Sequence, residues 1–289
     1  MNNQPTGVWR LRHMTVPAGQ DTAYGEAPDG LLTFTVDLHF GVAVISSELP
    51  QVASGDRMSA SDEENRAIAR GSIGLYGTYR VDSDGAFVDQ HVDGSTNPAL
   101  TGQTLGEGTL TVAVTSDDEL VMTSHSAQVP VGESTWRRVG AAGAPASGNQ
   151  VAAAWRMRSA TVQVGEQTLD PFGADPAGSL IFTDSLYFTD VLHRSDLAPL
   201  AGGDPLRGTD EENRRTVQGS LIVFGSYTVD ADGVFRDEVV LGCSMPNWKG
   251  MRRDRSSLTE TVHGDRMVEH LDDGEGVVVS VEFSRAPAA

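Results

Sequence analysis

The sequence has few of the features that mark several common protein classes. Its 289 residues include one cysteine, Cys243, so no disulfide can form within the chain. Basic residues are scarce, with 21 Lys and Arg against 40 Asp and Glu, and the formal charge of -19 repels nucleic acids and anionic membranes. The first residues lack a signal-peptide pattern, and no apolar run approaches the roughly 20 residues that span a bilayer. We therefore expect a cytoplasmic protein with neither nucleic-acid nor membrane partners.

The usual catalytic signatures are missing as well. The sequence has no Gly-x-Ser-x-Gly elbow, no His-Glu-x-x-His helix, no phosphate-binding glycine loop and no Cys-x-x-Cys pair. Its seven histidines show no spacing typical of metal ligands. Serine hydrolases, zinc proteases and nucleotide-dependent enzymes are thus poorly supported. We expect neither a cofactor nor a metal.

What the sequence does contain is an internal repeat. Residues 61–87, SDEENRAIARGSIGLYGTYRVDSDGAF, return 148 positions later as TDEENRRTVQGSLIVFGSYTVDADGVF, with 14 of 27 residues identical. Between the copies, AAGAPASGNQ has the small residues and proline of a linker. We predict two domains, residues 1–140 and 151–289, joined by a linker at 141–150.

Each copy has mostly the pattern of β-structure. Short runs rich in Val, Ile, Thr, Phe and Tyr alternate with turn sequences such as Asp-Ser-Asp-Gly. Ser61 with Glu64, and Thr209 with Glu212, form capping boxes that each begin a short helix. Roughly eight strands per copy predict an all-β fold of two up-and-down antiparallel barrels, each with one short helix and room for one small ligand.

Several stretches resemble a known family. TGVWRL, YGEAPDGLLTFT, YGTYRVDSDGAFVDQHVDGSTNPALTG and TWRRV are similar to the lipocalin-like domain family of bacterial and fungal proteins, over nearly the whole chain and twice. The second copy departs where AAAWRM lacks the glycine and EFSR lacks the tryptophan. The resemblance implies two tandem lipocalin-like barrels. At the closure of each barrel, we expect Trp9 to stack on Arg137 or Arg138, and Trp155 on Arg285.

Strand alternation selects candidate catalytic residues in the first copy. In SIGLYGTYRV the polar Thr78 and Arg80 should face water, which turns Tyr79 inward. On the next strand Asp89 and His91 share a face whose counterparts in the second copy are mostly apolar, so we expect both to line the cavity. Together with Tyr79 they form a plausible acid–base set. The alternative is that Tyr79 fills the core with its hydroxyl bonded to Asp89.

Five further residues are candidates for substrate binding. Tyr227 and Asp237 are the second-copy counterparts of the tyrosine and the aspartate. Trp248, in MPNWKGMRR, either stacks on a conjugated substrate or plugs the barrel end. His39 and Tyr187 follow turns at a barrel mouth. Whether barrel 1, barrel 2 or the crevice between them holds the site stays open at this point, as does the oligomeric state.

The resemblance also suggests functions. Tandem barrels of this kind are similar to carotenoid hydratase-like proteins and to natural-product cyclases. The resemblance favours a cofactor-independent cyclase or isomerase of a polyketide-type pathway that folds a small hydrophobic substrate in its cavity. The alternatives are a non-catalytic carrier of a hydrophobic metabolite, and a hydratase or dehydratase.

Overall fold

The chain folds into two nearly closed antiparallel β-barrels, as predicted. The computed structural model describes residues 4–15, 24–125, 132–141, 148–202, 205–274 and 276–289. Most of the predicted linker lies outside these described residues. In the described part of the chain, no helix is long and apolar enough to span a membrane.

Barrel 1 is formed by the first sheet, in which nine strands are described. They are β1 (Gly7–Thr15), β2 (Asp29–Phe34), β3 (His39–Ile45), β4 (Ser72–Val81), β5 (Phe87–Ser95), β6 (Thr104–Leu105), β7 (Leu110–Ser116), β8 (Glu119–Ser124) and β9 (Glu133–Ala141). Helix α1 (Asp62–Gly71) and the short 3₁₀ helices Arg57–Ser59 and Pro98–Leu100 complete it.

Barrel 2 repeats this arrangement with one added strand. Its strands are β10 (Ala153–Val164), β11 (Gln167–Leu169), β12 (Pro176–Phe182), β13 (Tyr187–Arg194), β14 (Ser220–Val229), β15 (Phe235–Cys243), β16 (Arg252–Asp254), β17 (Leu258–His263), β18 (Arg266–Asp272) and β19 (Val277–Arg285). Helix α2 (Asp210–Gly219) and the 3₁₀ helices Pro205–Arg207 and Pro246–Trp248 complete it.

Both sheets have the same topology. In barrel 1 the order is β6-β5-β4-β3-β2-β1-β9-β8-β7, and in barrel 2 it is β16-β15-β14-β13-β12-β10-β19-β18-β17, with β11 paired to β10. The first strand of each barrel pairs with its last strand. At this closure the Arg138 guanidinium lies 4.0 Å from the centre of the Trp9 ring, and that of Arg285 lies 4.5 Å from the Trp155 ring, which confirms the predicted cation–aromatic pairs.

Local sequence signals place both helices. The Ser61 hydroxyl accepts from the Glu64 amide while the Glu64 carboxylate accepts from the Ser61 amide, and Thr209 and Glu212 do the same for α2. Both predicted capping boxes are thus confirmed. Since the first free backbone donors are satisfied in this way, a helix of only ten residues can begin sharply after a long loop.

The two barrels pack against each other through the outer faces of β2–β4 and β12–β14, a contact that we call the seam. Its apolar residues form a cluster separate from the two barrel cores: Val8, Leu31, Ala43, Ile45, Ile222 and Phe224. Helices α1 and α2 also pack together, with Arg66 to Asp210 at 2.5 Å and Arg214 to Asp62 at 2.8 Å. Because these two ion pairs join equivalent positions of the repeat, the barrels are related by a pseudo-two-fold axis.

One glycine sets how closely the sheets approach at the seam. A Cβ atom added at Gly74 would lie 2.9 Å from Ile222 Cγ1 and 3.0 Å from Val191 Cγ2, and Ile222 is the equivalent of Gly74 in barrel 2. We predict that Gly74→Val lowers the free energy of unfolding by about 2 kcal/mol, because the seam cannot absorb the added methyl groups. Urea denaturation measures the loss. At Gly202 no described atom lies within 4 Å of such a Cβ, so Gly202→Val is the control; equal stability of the two variants would contradict the prediction.

Candidate functional site

Tyr79 and Tyr227 point into their barrels, as predicted. Each is 2% exposed, and each hydroxyl donates to a backbone carbonyl in the turn after β2 or β12: Tyr79 to Thr35 at 2.7 Å and Tyr227 to Thr183 at 2.6 Å. The expected alternative partners, Asp89 and Asp237, are not the acceptors. Burial raises the pKa of both hydroxyls. Since the same bond to a backbone carbonyl occurs in both copies, each tyrosine ties a loop to the core of its barrel.

The predicted inward orientation of Asp89, His91 and Asp237 is wrong. The pairing register shifts between Arg80 and Val81, and at the equivalent place in barrel 2, so that β5 and β15 each carry one extra residue as a β-bulge. A bulge reverses the alternation beyond it, so residues after Phe87 face the opposite way from the expected pattern.

The outward positions of these residues are clear from their contacts. Arg80 Nε donates to Asp89 Oδ1 at 2.9 Å, and the His91 side chain is 48% exposed, with Nδ1 3.1 Å from the Thr104 hydroxyl. The Asp237 carboxylate likewise lies near Arg236 and Arg252 on the outside of barrel 2. The structure therefore does not bring Tyr79, Asp89 and His91 together, and their joint role in catalysis stays a prediction.

The other predicted binding residues lie in three different settings. His39 is buried on the outer face of barrel 1, with Nε2 2.9 Å from the Pro287 carbonyl oxygen. Tyr187 is half-buried against the apolar cluster of the seam. Trp248 packs on the core of barrel 2, and the Arg253 guanidinium lies 4.8 Å from the centre of its ring. Through Arg253, Trp248 contacts a group of charged residues that the sequence analysis did not predict.

That group is a set of five ionisable side chains inside barrel 2, which we call the carboxyl cluster. At each equivalent position barrel 1 has an apolar residue or an amide. The pairs, matched by strand register, are Asp190 with Val42, Glu238 with Gln90, Arg253 with Leu105, Glu260 with Val112 and Glu269 with Met122. The two barrels share one fold but differ in the chemistry of their interiors.

The cluster is buried and has one cation. Arg253 Nη1 donates to Glu238 Oε1 at 2.8 Å, and these two side chains are 11% and 6% exposed. Glu260 is 4% exposed and lies directly opposite half-buried Glu269 on β18, while Asp190 is 7% exposed on β13. Among the described residues, no hydrogen-bond partner reaches Asp190 Oδ1 or Glu260 Oε2. Buried polar atoms are nearly always paired, so these two oxygens are exceptions that need an explanation.

Burial shifts the pKa of every carboxyl group in the cluster upward. The pKa of Glu238 rises to about 7, since desolvation outweighs the attraction of Arg253. Desolvation followed by the charge of Glu269 raises the pKa of Asp190 and of Glu260 well above their ordinary values. Glu260 and Glu269 share a hydrogen bond, and we place its proton on Glu260. The cluster therefore binds protons more readily than free carboxyls do, and Glu238 titrates near neutrality.

Cys243 lies in the same interior but is not a nucleophile. It is 1% exposed, and burial raises the pKa of its thiol to about 12. Since the thiolate is the reactive form, this cysteine is a small buried side chain.

The sheet of barrel 2 is incompletely closed beside the cluster. Leu271 and Val279 pack against the core next to Glu269. All three residues are only half-buried. In addition β16 and β17 are the two ends of the sheet and are not hydrogen-bonded neighbours. Glu238 and Arg253 lie on one side of this gap and Glu260 on the other. The carboxyl cluster thus lies next to the junction at which hydrogen bonds do not close the sheet of barrel 2.

A second candidate site lies in the seam. A cavity of about 200 Å³ is bounded by Phe34 and Thr35 of barrel 1 and by Phe182, Thr183 and Arg285 of barrel 2. It sits near the pseudo-two-fold axis and takes equivalent residues from both barrels. Its lining is mostly apolar, and the carboxyl cluster is not part of it.

A barrel that encloses a few polar groups within apolar walls defines a class of proteins that bind small molecules. The chain belongs to the lipocalin-like domain family, whose model matches residues 6–142 and 153–278. This fold suggests the binding of a small hydrophobic ligand.

Two solved structures resemble the chain only distantly. One is a Bacteroides fragilis protein assigned provisionally to the outer membrane, at 11% identity and a TM-score of 0.21, covering 98% of this chain and 97% of its own. The other is a Nostoc punctiforme protein of unknown function from the DUF3598 family, at 9% identity and a TM-score of 0.22, with the same coverage. At such low scores neither likeness bears on the fold or the function. No curated protein matches the sequence.

The cluster predicts how stability depends on pH. A carboxyl whose pKa is higher in the folded state stabilises the protein below the unfolded pKa, and this stability is lost as pH rises through the folded pKa. For Glu238 the loss falls between pH 4.5 and about 7, and amounts to roughly 3 kcal/mol. We therefore expect the wild-type protein to be more stable to urea at pH 5 than at pH 8.

Barrel 1 supplies the control for this measurement. The five changes that copy its residues are Asp190→Val, Glu238→Gln, Arg253→Leu, Glu260→Val and Glu269→Met. Together they should raise the free energy of unfolding at pH 8 by about 1 to 4 kcal/mol, since packed apolar residues replace buried charges. They should also remove most of the loss between pH 5 and pH 8. An unchanged pH dependence would mean that the loss comes from the net charge of the surface.

Proposed function

We propose that this protein is a cofactor-independent isomerase or cyclase that rearranges a small hydrophobic molecule inside barrel 2. The observation that supports this proposal is the carboxyl cluster, since barrel 1 forms the same fold without it. Burying carboxyls costs several kcal/mol, and hydrophobic replacements are often more stable. A cluster kept in one copy against this cost is better explained by chemistry than by folding. The buried Cys243 is consistent with a cytoplasmic protein, which we retain as part of the proposal.

Glu260 and Glu238 can act as an acid and a base. Glu260 has a pKa raised well above its ordinary value and shares a proton with Glu269, so this pair can supply a proton. Glu238 has a pKa of about 7, which suits a group that must gain and lose a proton. Glu260 donates a proton to a carbonyl or alkene of the ligand, while Glu238 removes one from a neighbouring carbon. The product is an isomer of unchanged mass.

The rest of barrel 2 can orient the substrate. Phe182, Phe188, Tyr227 and Phe235 pack edge to face or tilted at one end of the interior and form a rigid floor. Apolar walls exclude water from the reacting groups, and fixed orientation contributes on the order of 7 to 11 kcal/mol in favourable cases. Arg253 is held by Glu238 and the Trp248 ring, so its positive charge can stabilise the ionised form of Glu238, the base.

The location of binding is tested first, with the fluorescent apolar probe N-phenyl-1-naphthylamine. We predict that Leu271→Trp, which adds bulk at the half-buried edge of the barrel 2 core, weakens binding at least tenfold. Ser124→Trp, at the equivalent position of barrel 1, should leave the dissociation constant unchanged. If both variants bind like the wild-type protein, the probe occupies the seam cavity instead.

Turnover is tested with cyclohex-3-en-1-one, whose double bond moves into conjugation with the carbonyl by acid–base catalysis and then absorbs in the ultraviolet. We expect Glu238→Gln and Glu260→Gln each to lower the rate at least 100-fold. His91→Ala is the control, and its loss of activity would return the site to barrel 1. A carrier binds the probe without converting the ketone, and a hydratase gives a product heavier by one water.

A further inference from the structure

Asp190 is the member of the carboxyl cluster that the acid–base scheme does not use. It lies on β13, faces inward among Phe188 and Leu192, and is 7% exposed. No hydrogen-bond partner among the described residues reaches its Oδ1 atom. The equivalent residue of barrel 1, Val42, shows that the fold needs no polar group here. An unpaired buried carboxyl costs stability, so its retention indicates a partner that is absent from the chain itself.

The charges around Asp190 define the chemistry of that partner. Glu238, Glu260 and Glu269 face the same interior from β15, β17 and β18, and Arg253 from β16 is the cation among them. Arg253 already donates to Glu238 and lies against Trp248. Four carboxyl groups thus face one guanidinium, so the interior has a deficit of positive charge whenever its carboxyls are ionised. An anionic ligand is disfavoured, whereas a ligand with N–H donors and a positive charge offsets that deficit.

We propose that barrel 2 binds small apolar amines, with the ammonium group donating a hydrogen bond to the Asp190 carboxylate. This inference rests on the proposed binding of a small molecule in barrel 2 and names the class of that molecule. The apolar body of the ligand lies against the aromatic floor, and its other end faces Glu260 and Glu238. The formal charge of -19 also favours the approach of a cation.

The test compares two probes of the same shape, adamantan-1-amine and adamantan-1-ol, by isothermal titration calorimetry at pH 7. We expect the amine to bind the wild-type protein at least tenfold more tightly than the alcohol. Burial and the neighbouring carboxylates raise the pKa of Asp190, so binding of the ammonium should release protons. Parallel titrations in phosphate and Tris measure that release. The alcohol should release none.

The variants separate this inference from the proposed function. Asp190→Val copies Val42 of barrel 1, which favours correct folding, and thermal melting checks it. It should abolish the preference for the amine and the proton release, while the alcohol still binds. If the wild-type protein binds both probes equally, or if the preference survives Asp190→Val, the amine proposal is overturned and binding in barrel 2 stands. If neither probe binds, both proposals fail.

Discussion

Burial of both faces of the strands at the seam is the constraint on which the rest of the molecule depends. Strands β2–β4 and β12–β14 turn one face into their own barrel and the other onto the partner barrel. Separating the barrels would expose the apolar cluster of the seam, and the outer faces of these strands would then contact water. The contact between Gly74 and Ile222 and the paired ion bridges of the helices fix one relative placement. The two copies therefore stabilise each other through the surface that they bury at the seam.

That shared stability allows the copies to differ inside. The interior of barrel 1 is mostly apolar, although it buries Gln90, whose Oε1 also has no hydrogen-bond partner among the described residues. Barrel 2 carries four carboxyls and one guanidinium at positions where barrel 1 has four apolar residues and one amide. Each of these buried ionisable groups lowers the free energy of unfolding, and the packing of barrel 1 and of the seam offsets that decrease. Duplication separates the element that stabilises the molecule from the element that can do chemistry.

The sequence predicted the features that follow from local rules. Capping boxes, the alternation of β4 and the Trp–Arg pairs at the closures depend on neighbours in the chain or on ends that must meet, and all are confirmed. The alternation of β5 failed because a bulge beside Phe87 adds one residue, and a count of polar and apolar letters cannot show it. One usable signal was missed. Glu238 in place of Gln90, and Asp190 in place of Val42, stand out when the two copies are aligned, and inward orientation then follows from the strands on either side.

The two unpaired oxygens of the cluster gain a common explanation if a cation occupies the interior. An ammonium group beside Asp190 stabilises the ionised form of every carboxyl near it. Glu238 is one of these carboxyls, and its pKa of about 7 is already close to neutral pH. The base then becomes fully charged only while a ligand is bound. In the empty barrel the raised pKa of these carboxyls favours their neutral form, which limits the cost of their burial. A cationic substrate would thus complete the acid–base pair that rearranges it, and the cost of the buried charges would be met by binding rather than by folding.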